Sequence, residues 1–426
     1  MVSTRFEVQV TLKGSSFMSE KSIPDHNDIR SQFPALSGPT VYLENAGGSQ
    51  VPHFVADRIH QYMTQSYVQL GAGYSLSQRC TATVEEAHAF ARRFLNVENG
   101  HAILGPSTTA LLHILAKSYA QFLQPGQQII IAETGHEANM GCWKQLADQG
   151  AEIVWWRVDP ETFECPLSQL VELMNSKTAL VVLPHVSNLL GHVVDVAAVT
   201  RVAHAGGARV VVDGVALAPH RAVDVTALGV DWYVYSTYKV YGPHMAVLYG
   251  SNEAFAELKG PNHFFVAEDD LPYKYELGGA NHESCAGLLG LGDYFQFVMG
   301  LEPDGACGRE TIEKAFGRMQ AWEDPLTTQL VAELESKPSV RLIGPADAAV
   351  DRVGTVSFVH SKLSSREIAA VVDRSSVAIR CGHMYAWHLC EALGIDHDDG
   401  VVRVSLVHYN TAHELEKLFS VWNEIL

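Results

Sequence analysis

The runs ALVVLP at 179–184 and RVVVD at 209–213 set the reading of this chain. Each is short, apolar and rich in β-branched residues, as strands buried on both faces of a parallel sheet are. QIIIA at 128–132 and EIVWW at 152–156 repeat the pattern. Helical patterns separate the runs, from about Met140 to Gln149, over 167–175 and over 196–205. Strands alternating with amphipathic helices predict an α/β core. Ligands of such sheets sit beyond the carboxyl ends of the strands. Residues directly after each run are therefore the first candidates for chemistry.

The pattern changes after about Gly305. A long helical stretch at 309–336 precedes VGTVSFVH at 353–360, a helix at 365–373, VAIR at 377–380, VVRVSLV at 401–407 and a final helix from about Ala412. This mixture predicts a smaller α+β domain over 306–426 beside a large domain over 41–305. Residues 18–40 are expected to join the small domain. Residues 1–17 read as an extension or tag, because they alternate polar and apolar residues and lack the compact apolar stretch of a secretory signal.

A chain of 426 residues, 47% of them hydrophobic, can bury a large core. Lys and Arg total 30 against 48 Asp and Glu, a net charge of −18. Such an acidic chain is a poor partner for nucleic-acid phosphates or an anionic membrane. The seven cysteines are odd in number. They form no CxxC pair, which points to buried thiols in a reducing, cytoplasmic compartment and to no structural metal site. No run approaches the roughly 18 apolar residues of a membrane helix.

The strongest constellation is Val211-Val212-Asp213, followed by Tyr235-Ser236-Thr237-Tyr238-Lys239 and Gly242-Pro243. Asp213 ends a buried strand. Lys239 lies among apolar and aromatic residues, where desolvation lowers an amine's pKa and suits Schiff-base chemistry. On spacing alone, a snorkelling surface lysine and a helix-capping aspartate are equally open.

With the other motifs, the chain resembles the class V aminotransferases, fold-type I enzymes of pyridoxal 5'-phosphate, and most of all their cysteine-desulfurase-like branch. The resemblance covers about residues 30 to 424. It implies a large domain with a mostly parallel seven-stranded sheet covered by helices, a smaller α+β domain, and a homodimer with sites near the interface. Lys239 would hold the cofactor as an internal aldimine and later move the substrate proton. Asp213 would pair with the pyridine nitrogen. His136, in Glu133-Thr134-Gly135-His136-Glu137-Ala138-Asn139, matches the histidine that stacks on the ring.

Ser107, Thr108 and Thr109 follow Ala102-Ile103-Leu104-Gly105 and open a helical pattern, which makes an anion site for the cofactor phosphate. Taken alone they also read as an ordinary cap. Ser236 matches a further phosphate ligand. Tyr238 stands where the family often has a histidine, and its hydroxyl is expected to reach a phosphate oxygen instead. Asn188 matches the residue near the phenolic oxygen and the substrate. Arg403 matches the arginine that grips the substrate α-carboxylate, with a surface salt bridge as the alternative; Arg380 is expected among the substrate-binding residues. Asn45 and Ala46, before Gly47-Gly48, resemble the loop over the substrate.

The departures bear on the reaction. Ala216 stands where the family has a glutamine, so Asn188 or His220 is expected to compensate. Gly279 stands where a partner threonine usually touches the phosphate. Tyr74 replaces a substrate-side histidine. In Arg380-Cys381-Gly382-His383-Met384-Tyr385, Tyr385 occupies the place of the nucleophilic cysteine. A tyrosine cannot accept sulfur as a persulfide. The expected activity is a C–S lyase acting on a sulfur-containing amino acid through an external aldimine and Cα deprotonation. The alternatives are a true cysteine desulfurase using Cys381, its acceptor unnamed, or an aminotransferase or epimerase on a non-sulfur amino acid. A cofactor-free relative that kept only the fold is disfavoured by Lys239, Asp213, His136 and Arg403.

Overall fold

A computed structural model describes residues 23–303, 305–347 and 350–426. The expected extension at 1–17 lies outside them. Eight strands come first: β1 (Val41–Tyr42), β2 (His101–Gly105), β3 (Gln128–Ala132), β4 (Glu152–Trp156), β5 (Thr178–Pro184), β6 (Arg209–Asp213), β7 (Trp232–Ser236) and β8 (Ala246–Gly250). Five follow: β9 (Val340–Ile343), β10 (Thr355–His360), β11 (Val377–Ala378), β12 (Arg380–Gly382) and β13 (Val401–Ser405).

Seven of them form one sheet in the order β2-β8-β7-β6-β5-β3-β4. All neighbours are parallel except at β8, which runs antiparallel to β2 and β7. Alternation along the strands divides the apolar residues between two cores. Ile130, Val181, Val212 and Tyr233 face one; Ile131, Val182, Val211 and Val234 face the other. Each such buried aliphatic side chain contributes about 1.5–3 kcal/mol relative to exposure.

The second sheet is antiparallel, in the order β12-β13-β10-β9. Its core joins Val356, Val402 and Val404 to Leu415, Leu418 and Trp422 of the last helix, Ala412–Ile425. That helix starts at a capping box made by Thr411 and Glu414.

Segments near the expected domain limits pack across them. Val41 and Leu43 pack in the small core, and β1 pairs with β11 rather than with the large sheet. Ile29, Phe33 and Leu36 pack in the larger core, while Arg30 of the same segment pairs with Glu414 at 2.8 Å. Helix Arg309–Glu335 serves both bodies, with Ile312 and Phe316 in the first core and Leu330 and Leu334 in the other. Pro325 lies between these halves and withholds one internal hydrogen bond. Among the described residues no helix is long and apolar enough to cross a membrane.

Candidate active site

The carboxyl ends of five strands converge on one cleft. β2 delivers Ser107 and Thr108, β3 delivers His136, β5 delivers Asn188, β6 ends in Asp213, and β7 leads to Lys239. Each position follows from a buried strand that must stop where the backbone turns out of the sheet.

Ser107 caps helix Thr108–Phe122 and accepts from the Ala110 N–H at 3.1 Å. The Thr108 and Ser236 hydroxyls lie 2.7 Å apart. Hydroxyls beside the start of a four-turn helix make an anion cradle. Tyr238 borders the same cleft, its ring stacked on His244 with centroids 4.5 Å apart.

Asp213 is buried and accepts from the Val215 N–H at 2.9 Å. Burial raises its pKa, while that N–H and Lys239 oppose the rise. Lys239 falls to about 8, chiefly through burial and then through Arg403, with Asp213 opposing. His136 falls to about 4, because it is buried near Lys239 and Arg403. Its Nδ1 accepts from the Ala138 N–H at 3.0 Å, so the ring is neutral with its proton on Nε2.

Asn188 donates to the Met384 carbonyl at 2.8 Å, leaving its buried Oδ1 without a partner. Arg403 is buried, donates to the Asn188 carbonyl at 3.2 Å and keeps its Nε unpaired. Burial lowers its pKa to about 10. Tyr385 approaches from the loop after β12, its ring centroid 5.1 Å from that of His136. It remains 66% exposed, and its backbone carbonyl accepts from the Glu137 N–H at 2.8 Å.

Several expected site residues lie elsewhere. The His220 ring turns away from the cleft and pairs with Glu323 at 2.7 Å, both buried, so it does not replace the missing glutamine. Cys381 stands opposite Val402, whose side chain belongs to the small core, whereas its neighbour Arg380 stands opposite Arg403. The thiol therefore faces away from the Arg403 side of the sheet, towards helix Ser365–Asp373 and the charges of Arg366 and Asp373. Burial raises its pKa, the reverse of what a thiolate nucleophile needs.

Asn45 is consumed by structure, donating to the Ser405 carbonyl and to Asn410 and accepting from Tyr409. Ala46 donates its N–H to the Ser405 hydroxyl at 2.8 Å. Tyr74 is exposed at the start of helix Ser75–Leu95 and does not border this cleft. Arg380 is engaged by the Glu44 carboxylate. His244 went unread in the sequence, although it directly follows Gly242-Pro243. The β7–β8 connection returns it to the cleft.

The class V aminotransferase family profile matches residues 41–418. The chain is 39% identical to the aminotransferase-like protein FGM3 of Gibberella zeae, over 96% of this chain and all of that one. It is 32% identical to a cysteine desulfurase of Dickeya dadantii, covering 92% of this chain and 94% of the relative. The cysteine desulfurase structure from Thermococcus onnurineus NA1 superposes with a TM-score of 0.81 at 26% identity, covering 96% and 99% of the two chains. The chain belongs to the class V aminotransferase family, as a cysteine-desulfurase-like enzyme, and that family implies pyridoxal phosphate.

The cleft fits that cofactor. A hydroxyl-lined helix start suits the phosphate. A buried carboxylate with a single backbone donor suits a protonated ring nitrogen. The unpaired Asn188 oxygen and Arg403 Nε are buried groups that await polar partners.

Proposed function

We propose that this enzyme is a C–S lyase: it cleaves a sulfur-containing amino acid to a thiol, pyruvate and ammonia without passing sulfur to the protein. Overall, RS–CH2–CH(NH3+)–COO− and water give RSH, pyruvate and ammonium. The Cβ–S bond breaks, and the thiol leaves with its electron pair and a proton. The observation that carries the reading is the loop beside His136, which presents Tyr385, while Cys381 faces the other side of its strand.

Bound pyridoxal phosphate supplies an aldehyde for amines and a ring that withdraws electrons from Cα. We assign its covalent attachment to Lys239, its ring nitrogen to Asp213, and its phosphate to Ser107, Thr108, Thr109, Ser236 and Tyr238. Arg403 would grip the substrate carboxylate in a bidentate fork. Lys239, its pKa lowered to about 8, then takes the Cα proton at neutral to mildly alkaline pH. His136 stays neutral over the ring. The Tyr385 hydroxyl would protonate the leaving thiolate.

Release of thiol and pyruvate from cysteine, cystine or a cysteine S-conjugate, identified by mass spectrometry, supports the lyase. Alanine as the product overturns it. A keto acid formed with aminated cofactor would instead favour an aminotransferase, the reading that 39% identity to an aminotransferase-like protein supports. We extend the homodimer to this chain from the family's habit.

A further inference from the structure

Two arginines share one face of the small sheet. Arg380 on β12 is in register with Arg403 on β13, and directly opposed residues of an antiparallel pair point the same way. Arg403 reaches inward to the Asn188 carbonyl. Arg380 is more open, its side chain 57% exposed. Two guanidiniums this close would suit a substrate with two carboxylates.

A third residue changes that sum. The Glu44 carboxylate accepts from Arg380 Nε, and its side chain is only 17% exposed. Glu44 is fixed from several sides. Its backbone bridges to Ser405, and its carbonyl accepts from the Gly47 N–H at 3.0 Å. A Cβ at position 47 would lie 2.7 Å from Glu44 Oε1, so the glycine makes room for this carboxylate. A mobile surface ion pair needs no such space. Glu44 also bears electrostatically on Arg403.

We propose that Glu44 sets the charge class of the substrate: by occupying Arg380 it leaves one guanidinium, that of Arg403, and turns the site away from amino acids with an anionic side chain. Glu44 is a positioning residue here, acting through Arg380. The inference rests on reading Arg403 as the carboxylate anchor of the proposed site. It does not depend on which bond is cleaved.

The test is equilibrium binding of L-alanine and L-aspartate to the holoenzyme, followed by cofactor absorbance. Neither probe carries sulfur, so the result is independent of the lyase reading, which thiol and pyruvate release tests separately. Wild type should bind alanine more tightly than aspartate. In Glu44→Gln the preference should move towards aspartate by about fivefold or more, the worth of one freed guanidinium–carboxylate pair. Glu44→Asp should restore the wild-type ratio. The gain should vanish in Glu44→Gln combined with Arg380→Gln. An unchanged ratio in Glu44→Gln overturns the proposal, as does a gain that survives loss of Arg380. If Glu44→Gln does not fold, Glu44→Ala carries the same test: the preference should again move towards aspartate, and an unchanged ratio overturns the proposal.

Discussion

Lys239 and Asp213 carry the proposed chemistry, and their environment makes the first prediction. Burial and Arg403 hold the amine near pKa 8 rather than its usual 10.5. Only the neutral amine attacks an aldehyde. Capture of added pyridoxal phosphate by the cofactor-free protein should therefore accelerate up to about pH 8 and then level off. A rate still climbing towards pH 10.5 would remove the lysine from this environment. Tyr385→Phe should slow turnover by about tenfold to a hundredfold if its hydroxyl donates the leaving-group proton. Cys381→Ser should change turnover by less than about twofold, as expected of a thiol outside the site. Steady-state release of thiol and pyruvate measures both. The positions of Asp213 and Lys239 beyond buried strands were legible because strand ends punctuate the hydrophobic pattern. His220 and Glu44 were not: their partners, Glu323 and Arg380, lie 103 and 336 residues away. No local spacing reports such a contact.

Segments, rather than single side chains, hold the cleft in shape. The loop after β6 carries His220. Its pair with Glu323 reaches the helix shared by both bodies, and Glu323 also accepts from the Gly354 N–H at 3.0 Å just before β10. Removing that carboxylate strands a buried imidazole and a buried N–H together. Glu323→Ala should cost about 3–5 kcal/mol in denaturant unfolding. At Gly214, next to Asp213, a Cβ would come within 2.1 Å of the Tyr233 ring, whose hydroxyl lies 3.0 Å from His185 Nδ1. Gly214→Ala should cost about 1–3 kcal/mol by overpacking and weaken cofactor retention; an unaffected melting curve would contradict that contact. The sequence located β3 to β6 well, since burial on both faces leaves an unbroken apolar run; Trp232–Ser236, parallel to β6, was not read as a strand. The short segment VAIR at 377–380 divides between two sheets. Val377–Ala378 pairs with β1, while Arg380 begins β12 beside β13. A run that changes sheets in one residue keeps the same hydrophobic pattern.

The whole molecule carries buried histidines that fix its response to acid. In the unfolded chain His136 and His185 take protons near pH 6.5, but burial holds them to about 4 and about 3 in the fold. Between those values the unfolded state binds more protons. The contribution of these two rings is therefore complete above pH 6.5 and is lost as pH falls through 4 towards 3. Thermal melts across that range should show the decline, and a flat profile would mean the rings are solvated. The surface leaves Phe264 98% exposed with Phe265 beside it, the kind of apolar patch that marks a protein contact. Sedimentation should reveal a dimer that loosens when both become serine.

The most direct measurement is the intact mass of the protein after incubation with L-cysteine, taken alongside assays for pyruvate and alanine. A C–S lyase with Tyr385 at the cleft mouth leaves the protein mass unchanged while pyruvate and sulfide accumulate. A gain of one sulfur atom on the peptide containing Cys381, with alanine released in its place, would contradict the account at its centre.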